Sequence, residues 1–145
     1  MNNGNYFEMK IKAETCNESF IRSTVAAFCV ALDPTLEELN DVKTAVSEAI
    51  TNCVVHAYSR ENSGEITVKV SLSGKTAIIE IRDSGCGISD VETAMKPFYT
   101  TKPEEERSGM GFTLMQTFMD GVTVKSEVGR GTTVVMEKTF VKNAK

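Results

Sequence analysis

Three short stretches of the chain carry residue types that suit the binding of a magnesium nucleotide. They are residues 48–52, 83–87 and 109–111, in that order. In the first, Glu48 and Asn52 stand four residues apart on a predicted helix, so both side chains project from one side. Each stretch is weak evidence alone, but their order and spacing in a short chain predict one nucleotide site.

The long predicted helix that carries Glu48 and Asn52 has an apolar stripe on another side. The stripe consists of residues at helical spacing: Leu39, Val42, Val46, Ala49, Ile50, Cys53 and Ala57. Val55 lies beside Glu48 and Asn52, which indicates that their side is also partly covered and faces a cleft. The alternative is that both side chains face solvent, as Glu and Asn do on many helices.

The second stretch places a carboxylate where it can recognise a base. Ile79, Ile81 and Asp83 share one face of a predicted strand, so Asp83 continues a core-facing row, where an unpaired carboxylate is costly. There it can accept a hydrogen bond from an exocyclic amine such as adenine N6. Gly85 and Gly87 would let backbone approach a planar ligand closely. The alternative is a strand-end aspartate that caps a tight turn.

The third stretch suits a polyphosphate. Four residues open a predicted apolar helix whose N–H groups and positive end would attract phosphate: Gly109, Met110, Gly111 and Phe112. The preceding loop, residues 97–108, carries Lys102 and Arg107, which could reach phosphate, and its length is typical of a lid. The alternative is a solvated loop with ordinary charges, which the run Glu104, Glu105 and Glu106 would favour.

The last predicted hairpin offers hydroxyl groups near the same site. Gly131, Thr132 and Thr133 follow one another there, so a threonine hydroxyl could lie near the base or the phosphates. The alternative is a β-turn followed by ordinary β-branched strand residues. His56 is the single histidine and has no recognisable catalytic partner along the chain, so we expect it to make a polar contact at the helix end.

Length and composition favour one domain spanning residues 1–145. The chain has 145 residues, of which 41% are hydrophobic and 25% charged, which suits a single core. The formal net charge of −4 argues against a nucleic-acid surface, which needs a basic patch. No apolar run approaches the roughly 18 residues of a membrane helix. The N-terminus lacks a secretory signal, so a cytoplasmic protein that does not bind membranes is expected.

The four cysteines form no CxxC motif for a metal or for redox chemistry. Cys29 and Cys53 lie on apolar helical stripes, so we expect them to be small buried hydrophobic residues. Cys86 stands between two glycines and is expected to be exposed near the site. No activating base is recognisable near any of them, so catalytic roles are disfavoured.

Hydrophobic periodicity predicts the elements that position these residues. The predicted strands are residues 6–13, 66–72, 76–83, 122–126 and 132–140. The first predicted helix, residues 17–32, is capped by Asn17 and has an apolar face that includes Phe20, Ile21 and Phe28. The others are residues 36–58, opened by a capping box of Thr35 and Glu38, and residues 90–95 and 110–119. Hairpin turns are expected at residues 73–75 and 129–131. This order indicates a two-layer α/β sandwich, a mixed and mostly antiparallel sheet with helices on one face.

The motif stretches resemble the GHKL ATPase/kinase superfamily, whose ATP-binding fold is the Bergerat fold. Residues 48–52, 83–87, 109–111 and 131–133 look like its N, G1, G2 and final boxes, and the resemblance extends over most of the chain. Within the superfamily, the stretches around these boxes are similar to the serine-kinase anti-sigma factors of spore-forming bacteria.

The resemblance implies a role for each motif residue. Asn52 would hold Mg²⁺ on the phosphates of ATP or ADP, and Glu48 would be the general base that takes a proton from a serine hydroxyl. Asp83 would bind adenine N6, with Thr132 near the base. The glycines would shape the pocket and its lid: Gly85, Gly87, Gly109 and Gly111.

The resemblance also implies contacts beyond the nucleotide base. Lys102 and Arg107 would contact the γ-phosphate. Arg22, on the first helix, would contact the partner proteins, which are a sporulation sigma factor and the anti-anti-sigma factor that accepts the phosphate. A homodimer is implied. The strand at residues 6–13 is expected at a sheet edge, where it would form the dimer together with the first helix.

Four alternatives share part of this pattern. A sensor histidine-kinase catalytic domain is disfavoured, because His56 lies within the ATP-site helix and no histidine-bearing hairpin is recognisable in the chain. An anti-sigma kinase for a general-stress sigma factor remains open. A nucleotide-binding latch without catalysis would not need the carboxylate of Glu48. A topoisomerase-like or chaperone-like ATPase would need a further transducer domain.

Overall fold

The computed structural model describes residues 4–57, 64–88, 91 and 111–141. Its strands are β1 (Asn5–Lys12), β2 (Glu65–Ser73), β3 (Thr76–Asp83), β4 (Gly121–Glu127) and β5 (Gly131–Thr139). Its helices are α1 (Glu18–Cys29), α2 (Leu36–Thr51) and α3 (Gly111–Phe118), with a π-helical segment, Asn52–Ala57, continuing α2. Short 3₁₀ turns, Thr15–Asn17 and Val30–Leu32, flank α1.

The five strands form one sheet in the order β1-β2-β3-β5-β4. All four pairings are antiparallel, and the hairpins β2–β3 and β4–β5 form where the glycine-containing turns predict them. Strand β1 lies at the sheet edge, as expected from the sequence. The predicted two-layer α/β sandwich is confirmed, and within the described residues the sheet has no parallel pair.

One face of the sheet is covered by the helices and the other carries charged residues. The buried core joins strand residues to helix residues: Ile21, Val25, Val42, Val46, Ile50, Ile66, Val68, Val70, Ile79, Ile81, Met115 and Met136. On the opposite face Arg82 forms ion pairs with Glu8 at 3.7 Å and Glu80 at 3.3 Å. Such exposed pairs contribute little stability, so the core side of the sheet holds the fold together.

The first helix differs from prediction at two residues. Asn17 does not cap α1; its Nδ2 donates to the Lys12 carbonyl at 2.9 Å instead, which fastens the end of β1 to the start of the helix. Phe20 was expected on the buried face but is 55% exposed. It lies about 100° around the helix from the buried Ile21, and Phe28 instead packs edge-to-face on Phe7 of β1.

The second helix begins as the sequence predicts and ends differently. Thr35 accepts a hydrogen bond from the Glu38 N–H, and the Glu38 carboxylate accepts one from the Thr35 N–H, so the capping box is confirmed. The α-helical hydrogen-bonding pattern ends at Thr51, and the π-helical segment begins at Asn52. Such wider turns are frequent at functional sites. The predicted end of this helix at residue 58 lies outside the described residues.

A partly buried lysine fixes the far end of α3. The Lys138 side chain is 12% exposed; its Nζ donates to the Phe118 carbonyl at 2.8 Å and pairs with Asp41 of α2 at 3.4 Å. A cation at a helix C-terminus also interacts favourably with the helix dipole. The clamp therefore joins β5, α2 and the last turn of α3, and it helps to direct the opposite end of α3, at Gly111, along α2.

Candidate nucleotide-binding site

The carboxylate predicted to contact a base lies where the strand pattern expects it. Asp83 ends β3 between Ile66 of β2 and Thr132 of β5, and only 7% of it is exposed. Its Oδ1 accepts hydrogen bonds from the N–H groups of Gly85 at 2.9 Å and Thr132 at 3.2 Å. Burial raises the pKa of Asp83, and these bonds partly offset the rise.

A thiol contacts the second oxygen of the same carboxylate. Cys53 is buried, and its Sγ donates to Oδ2 of Asp83 at 3.5 Å. Burial, and then the negative charge of Asp83, raise the pKa of the Cys53 thiol well above its usual value, so the thiol stays protonated and remains a donor. The sequence predicted that Cys53 is buried but gave no sign of this bond, because helix periodicity does not reveal which strand residue a buried side chain meets.

The first and third motif stretches come together at Gly111. A Cβ atom on Gly111 would lie 3.4 Å from Oε1 of Glu48 and 3.5 Å from Oδ1 of Asn52. The N-terminus of α3 therefore faces the polar side of α2, and Gly111 keeps the space between them narrow but open. Because Cys53 directly follows Asn52, the π-helical segment that continues α2 also reaches Asp83.

An unpaired amide marks this space as suited to a ligand. Nδ2 of Asn52 is buried and has no hydrogen-bond partner among the described residues, which is unusual for a buried polar atom. No three His, Cys, Asp or Glu side chains of the described part of the chain form a metal cluster. Mg²⁺ in nucleotide sites needs only one or two protein oxygens besides phosphates, so Oδ1 of Asn52 fits a magnesium nucleotide.

The glycine turn after β3 packs on the β4–β5 hairpin. A Cβ atom on Gly87 would lie 2.3 Å from the Glu127 carbonyl oxygen, and Gly87 has φ +79°. The Gly129 N–H donates to the Cys86 carbonyl at 2.9 Å. Gly87 was expected to let backbone approach a planar ligand, and in the structure it lies against the backbone of the β4–β5 hairpin. Cys86 is exposed, as predicted.

A serine that the sequence did not single out joins these parts. Ser126 accepts a hydrogen bond from the Ile88 N–H at 2.6 Å, donates to the Gly131 carbonyl at 3.1 Å, and shares a hydrogen bond with the Thr132 hydroxyl at 2.8 Å. Thr132 is only 8% exposed, so this hydroxyl lies inside the wall beside Asp83. Cross-strand pairing of Ser126 with Thr132 is the signal that would have revealed the contact, but it requires the register.

Several predicted site residues lie outside the described residues: Lys102, Arg107, Gly109 and Met110, together with the loop at 97–108 and, apart from Val91, the short helix at 90–95. Phe112 is half-buried and packs against the core. Arg22 lies on α1, where it donates to Glu18 at 2.9 Å and to Ser47 at 3.3 Å. Since Ser47 precedes Glu48, the predicted partner contact adjoins the nucleotide-site helix.

Comparison with known proteins shows the family and the fold. Residues 11–138 match the family described as histidine kinase-like ATPase domains. Two solved structures share the fold. The RsbU and RsbW domains of Rv1364c from Mycobacterium tuberculosis give a TM-score of 0.68 at 16% identity, covering 94% of this chain and 32% of that one. A blue-light activated histidine kinase from Erythrobacter litoralis gives 0.58 at 20% identity, covering 88% and 42%.

Curated relatives narrow the family further. An anti-sigma F factor from Thermoanaerobacter sp. (strain X514) is 54% identical over 92% of this chain and 93% of the relative. One from Caldanaerobacter subterraneus subsp. tengcongensis is 52% identical over 99% of both chains. One from Geobacillus kaustophilus is 48% identical over 96% of this chain and 95% of the relative. The chain therefore belongs to the histidine kinase-like ATPase family and, within it, to the anti-sigma F factors. None of the helices in the described ranges is long and apolar enough to span a membrane.

Proposed function

We propose that this protein binds Mg-ATP between α2, β3 and α3, transfers its γ-phosphoryl group to a serine of an anti-anti-sigma factor, and sequesters a sporulation sigma factor. The observation that carries the catalytic part is the convergence of Glu48, Asn52 and Gly111, with a buried amide nitrogen of Asn52 that no described residue bonds. The names of the anti-sigma F relatives support the sigma-factor part.

The nucleotide would lie along the polar side of α2. At one end, Asp83 would accept a hydrogen bond from the amino group of adenine. At the other end, the N–H groups at the start of α3 would face the phosphates. Asn52 would hold Mg²⁺, which neutralises phosphate charge during transfer. Lys102 and Arg107 would add positive charge at the γ-phosphate.

Glu48 would take the proton during phosphoryl transfer. The serine hydroxyl oxygen of the acceptor protein forms a bond to the γ-phosphorus while the bond to the β–γ bridging oxygen breaks, and ADP leaves. The hydroxyl proton passes to the Glu48 carboxylate, which adjoins the start of α3. A general base in this position contributes about 10²–10⁴-fold to the rate.

The partner proteins would bind near Arg22 and the exposed end of α1. Phe20 on the same helix is 55% exposed, and Tyr6 on the edge strand β1 is 60% exposed. Exposed aromatic residues and arginine are typical of interfaces.

An uncovered edge strand favours pairing with another copy of the chain. We therefore propose a homodimer that uses β1 and α1. Sedimentation as a monomer at high concentration would contradict it.

The test is phosphate transfer from labelled Mg-ATP to a candidate anti-anti-sigma protein, comparing the parent with Glu48→Gln. We expect transfer by the parent and at least about 100-fold slower transfer by the variant, with nucleotide binding retained in both. Glu37→Gln is the matched control, since Glu37 is exposed in the first turn of the same helix. It should transfer at the parent rate.

One outcome would contradict the role of Glu48, and another would contradict the kinase assignment. If Glu48→Gln transfers phosphate as fast as the parent, Glu48 is not the base. If the parent binds Mg-ATP but phosphorylates no anti-anti-sigma candidate, the nucleotide acts as a latch, and the complex with a sigma factor should be measured directly by its dependence on ATP.

A further inference from the structure

The bond between Cys53 and Asp83 joins the phosphate half of the site to the base half. Cys53 directly follows Asn52 on the helix side, and its Sγ reaches Oδ2 of Asp83, which lies 30 residues further along the chain on β3. Both residues are buried, at 3% and 7% exposure. The thiol therefore contacts the carboxylate from the side of α2, while the backbone N–H groups of Gly85 and Thr132 contact it from the sheet.

The acceptor positions of the Asp83 carboxylate determine where a ligand can bind it. An ionised carboxylate offers about four lone-pair positions, two on each oxygen. Oδ1 of Asp83 uses two of them, for the N–H groups of Gly85 and Thr132. Oδ2 uses one, for the thiol of Cys53. Among the described contacts, the position left for a ligand is on Oδ2, the oxygen whose direction the thiol controls.

We propose that Cys53 is a positioning residue that aims the free lone pair of Asp83 at a base amino group and thereby makes the site select 6-aminopurine over 6-oxopurine nucleotides. This inference rests on the proposed nucleotide-binding function. An amino group donates to Oδ2, whereas a carbonyl oxygen at the same place faces an acceptor and is rejected. With the thiol removed, none of the other described contacts fixes Oδ2, so the carboxylate can pivot about Oδ1, which its two backbone bonds still hold, and the preference weakens.

The experiment measures equilibrium binding of Mg-ATP and Mg-ITP to the full chain, because ITP carries a 6-oxo group in place of the 6-amino group of ATP. The variants are Cys53→Ala, which removes the donor, and Cys53→Ser, which retains one. The matched control is Cys29→Ala. Cys29 is a fully buried thiol on α1 whose pKa is raised to about 12 by burial, so its removal costs similar packing away from Asp83.

We expect the parent and Cys29→Ala to prefer ATP to ITP. Cys53→Ala should lose about fivefold in ATP affinity with little change for ITP, and Cys53→Ser should recover most of the preference. Equal weakening of both nucleotides by Cys53→Ala, or an unchanged preference, would overturn the positioning role while leaving the nucleotide site intact. Failure of the parent to bind either nucleotide would overturn both the inference and the proposed function.

Discussion

The backbone N–H of Thr132 donates to Oδ1 of Asp83 at 3.2 Å, across the pairing of β5 with β3. A residue at the start of the last strand thus orients a carboxylate 49 positions earlier in the chain. Because Gly85 bonds the same oxygen, two backbone groups fix Oδ1 of Asp83, while Oδ2 is contacted by the Cys53 thiol. The wall of the candidate base pocket therefore depends on the register of β5 against β3.

Asp83→Asn should weaken ATP binding without lowering the stability of the fold. Burial raises the pKa of Asp83, so the native state binds its proton more tightly than the unfolded state does. The parent therefore loses stability as pH rises from the ordinary aspartate pKa through the raised one. The amide avoids this loss, so thermal unfolding at pH 7 should show an equal or higher Tm for Asp83→Asn.

The same variant should bind ATP poorly, because the amide presents a donor where the base amino group needs an acceptor. The measurement is the rise in Tm on adding Mg-ATP, which reports affinity directly. A large ATP-induced rise in Asp83→Asn, equal to that of the parent, would show that Asp83 does not contact the base.

Two glycines of the last hairpin should respond very differently to alanine. A Cβ atom on Gly131 would lie 2.1 Å from the Asp83 carbonyl oxygen, at φ +118°. The clash with backbone should cost more than about 3 kcal/mol of unfolding free energy. Gly129 has φ +84°, but no atom of the described residues lies within 4 Å of an added Cβ, so Gly129→Ala should cost only about 1–2 kcal/mol. Denaturant unfolding of both variants checks the difference, and equal costs would contradict the close approach of β5 to Asp83.

Gly111→Ala should leave the fold intact and impair nucleotide binding. The new methyl group would contact Glu48 and Asn52 at 3.4–3.8 Å, ordinary contact distances, and alanine stabilises a helix by up to about 1 kcal/mol relative to glycine. The methyl would nevertheless occupy the space proposed for the ligand. We expect an unchanged or higher Tm and at least several-fold weaker Mg-ATP binding by calorimetry; unchanged affinity would place the phosphates elsewhere.

The capping box of α2 should make stability depend on acid. Burial acts to raise the pKa of Glu38, but hydrogen bonds from the N–H groups of Thr35 and Val141, with the charge of Lys138, outweigh it and lower that pKa. A lowered carboxylate pKa adds stability that is complete above the unfolded value, about 4.3. This stability is lost as pH falls through the folded value.

Thr35→Ala should therefore cost about 1 kcal/mol at pH 7 and weaken this acid dependence. The Thr35 hydroxyl also lowers the Glu38 pKa, and its loss brings the folded and unfolded values closer together. Thr35→Ser retains the hydroxyl and should behave like the parent in urea unfolding from pH 7 to pH 3. An identical pH profile for the alanine variant would contradict the argument.

Arg22→Ala should weaken partner binding and leave nucleotide binding unchanged. The side chain bonds Glu18 and Ser47, is about one-third exposed, and touches no predicted nucleotide ligand among the described residues. Pull-down of a sigma-factor candidate and calorimetry with Mg-ATP make the comparison. Reduced ATP affinity in this variant would show that the hydrogen bond from Arg22 to Ser47 also positions the neighbouring Glu48. Arg22 would then not be solely a partner contact.

Most of the secondary structure was predictable because each signal is local. Alternating residues predicted β2 and β3 nearly to their ends, the capping box marked the start of α2, and turn residues at 73–75 marked the first hairpin. Asn17 and Phe20 were mispredicted for a related reason: helix capping and periodicity rules consider the helix alone and not its contacts with strand β1. The Lys12 carbonyl accepts a hydrogen bond from the side-chain amide of Asn17, and Phe28, not Phe20, packs against Phe7.

The sequence alone determined the class of fold, the three nucleotide motifs and their order, since periodicity and glycine placement act over a few residues. Only the tertiary structure decided that Cys53 and Thr132 hold opposite oxygens of Asp83, and that Gly111 lies against Glu48 and Asn52. These contacts join residues dozens of positions apart, and they depend on strand register and helix packing. Both of those are set by burial of the whole core rather than by any one segment.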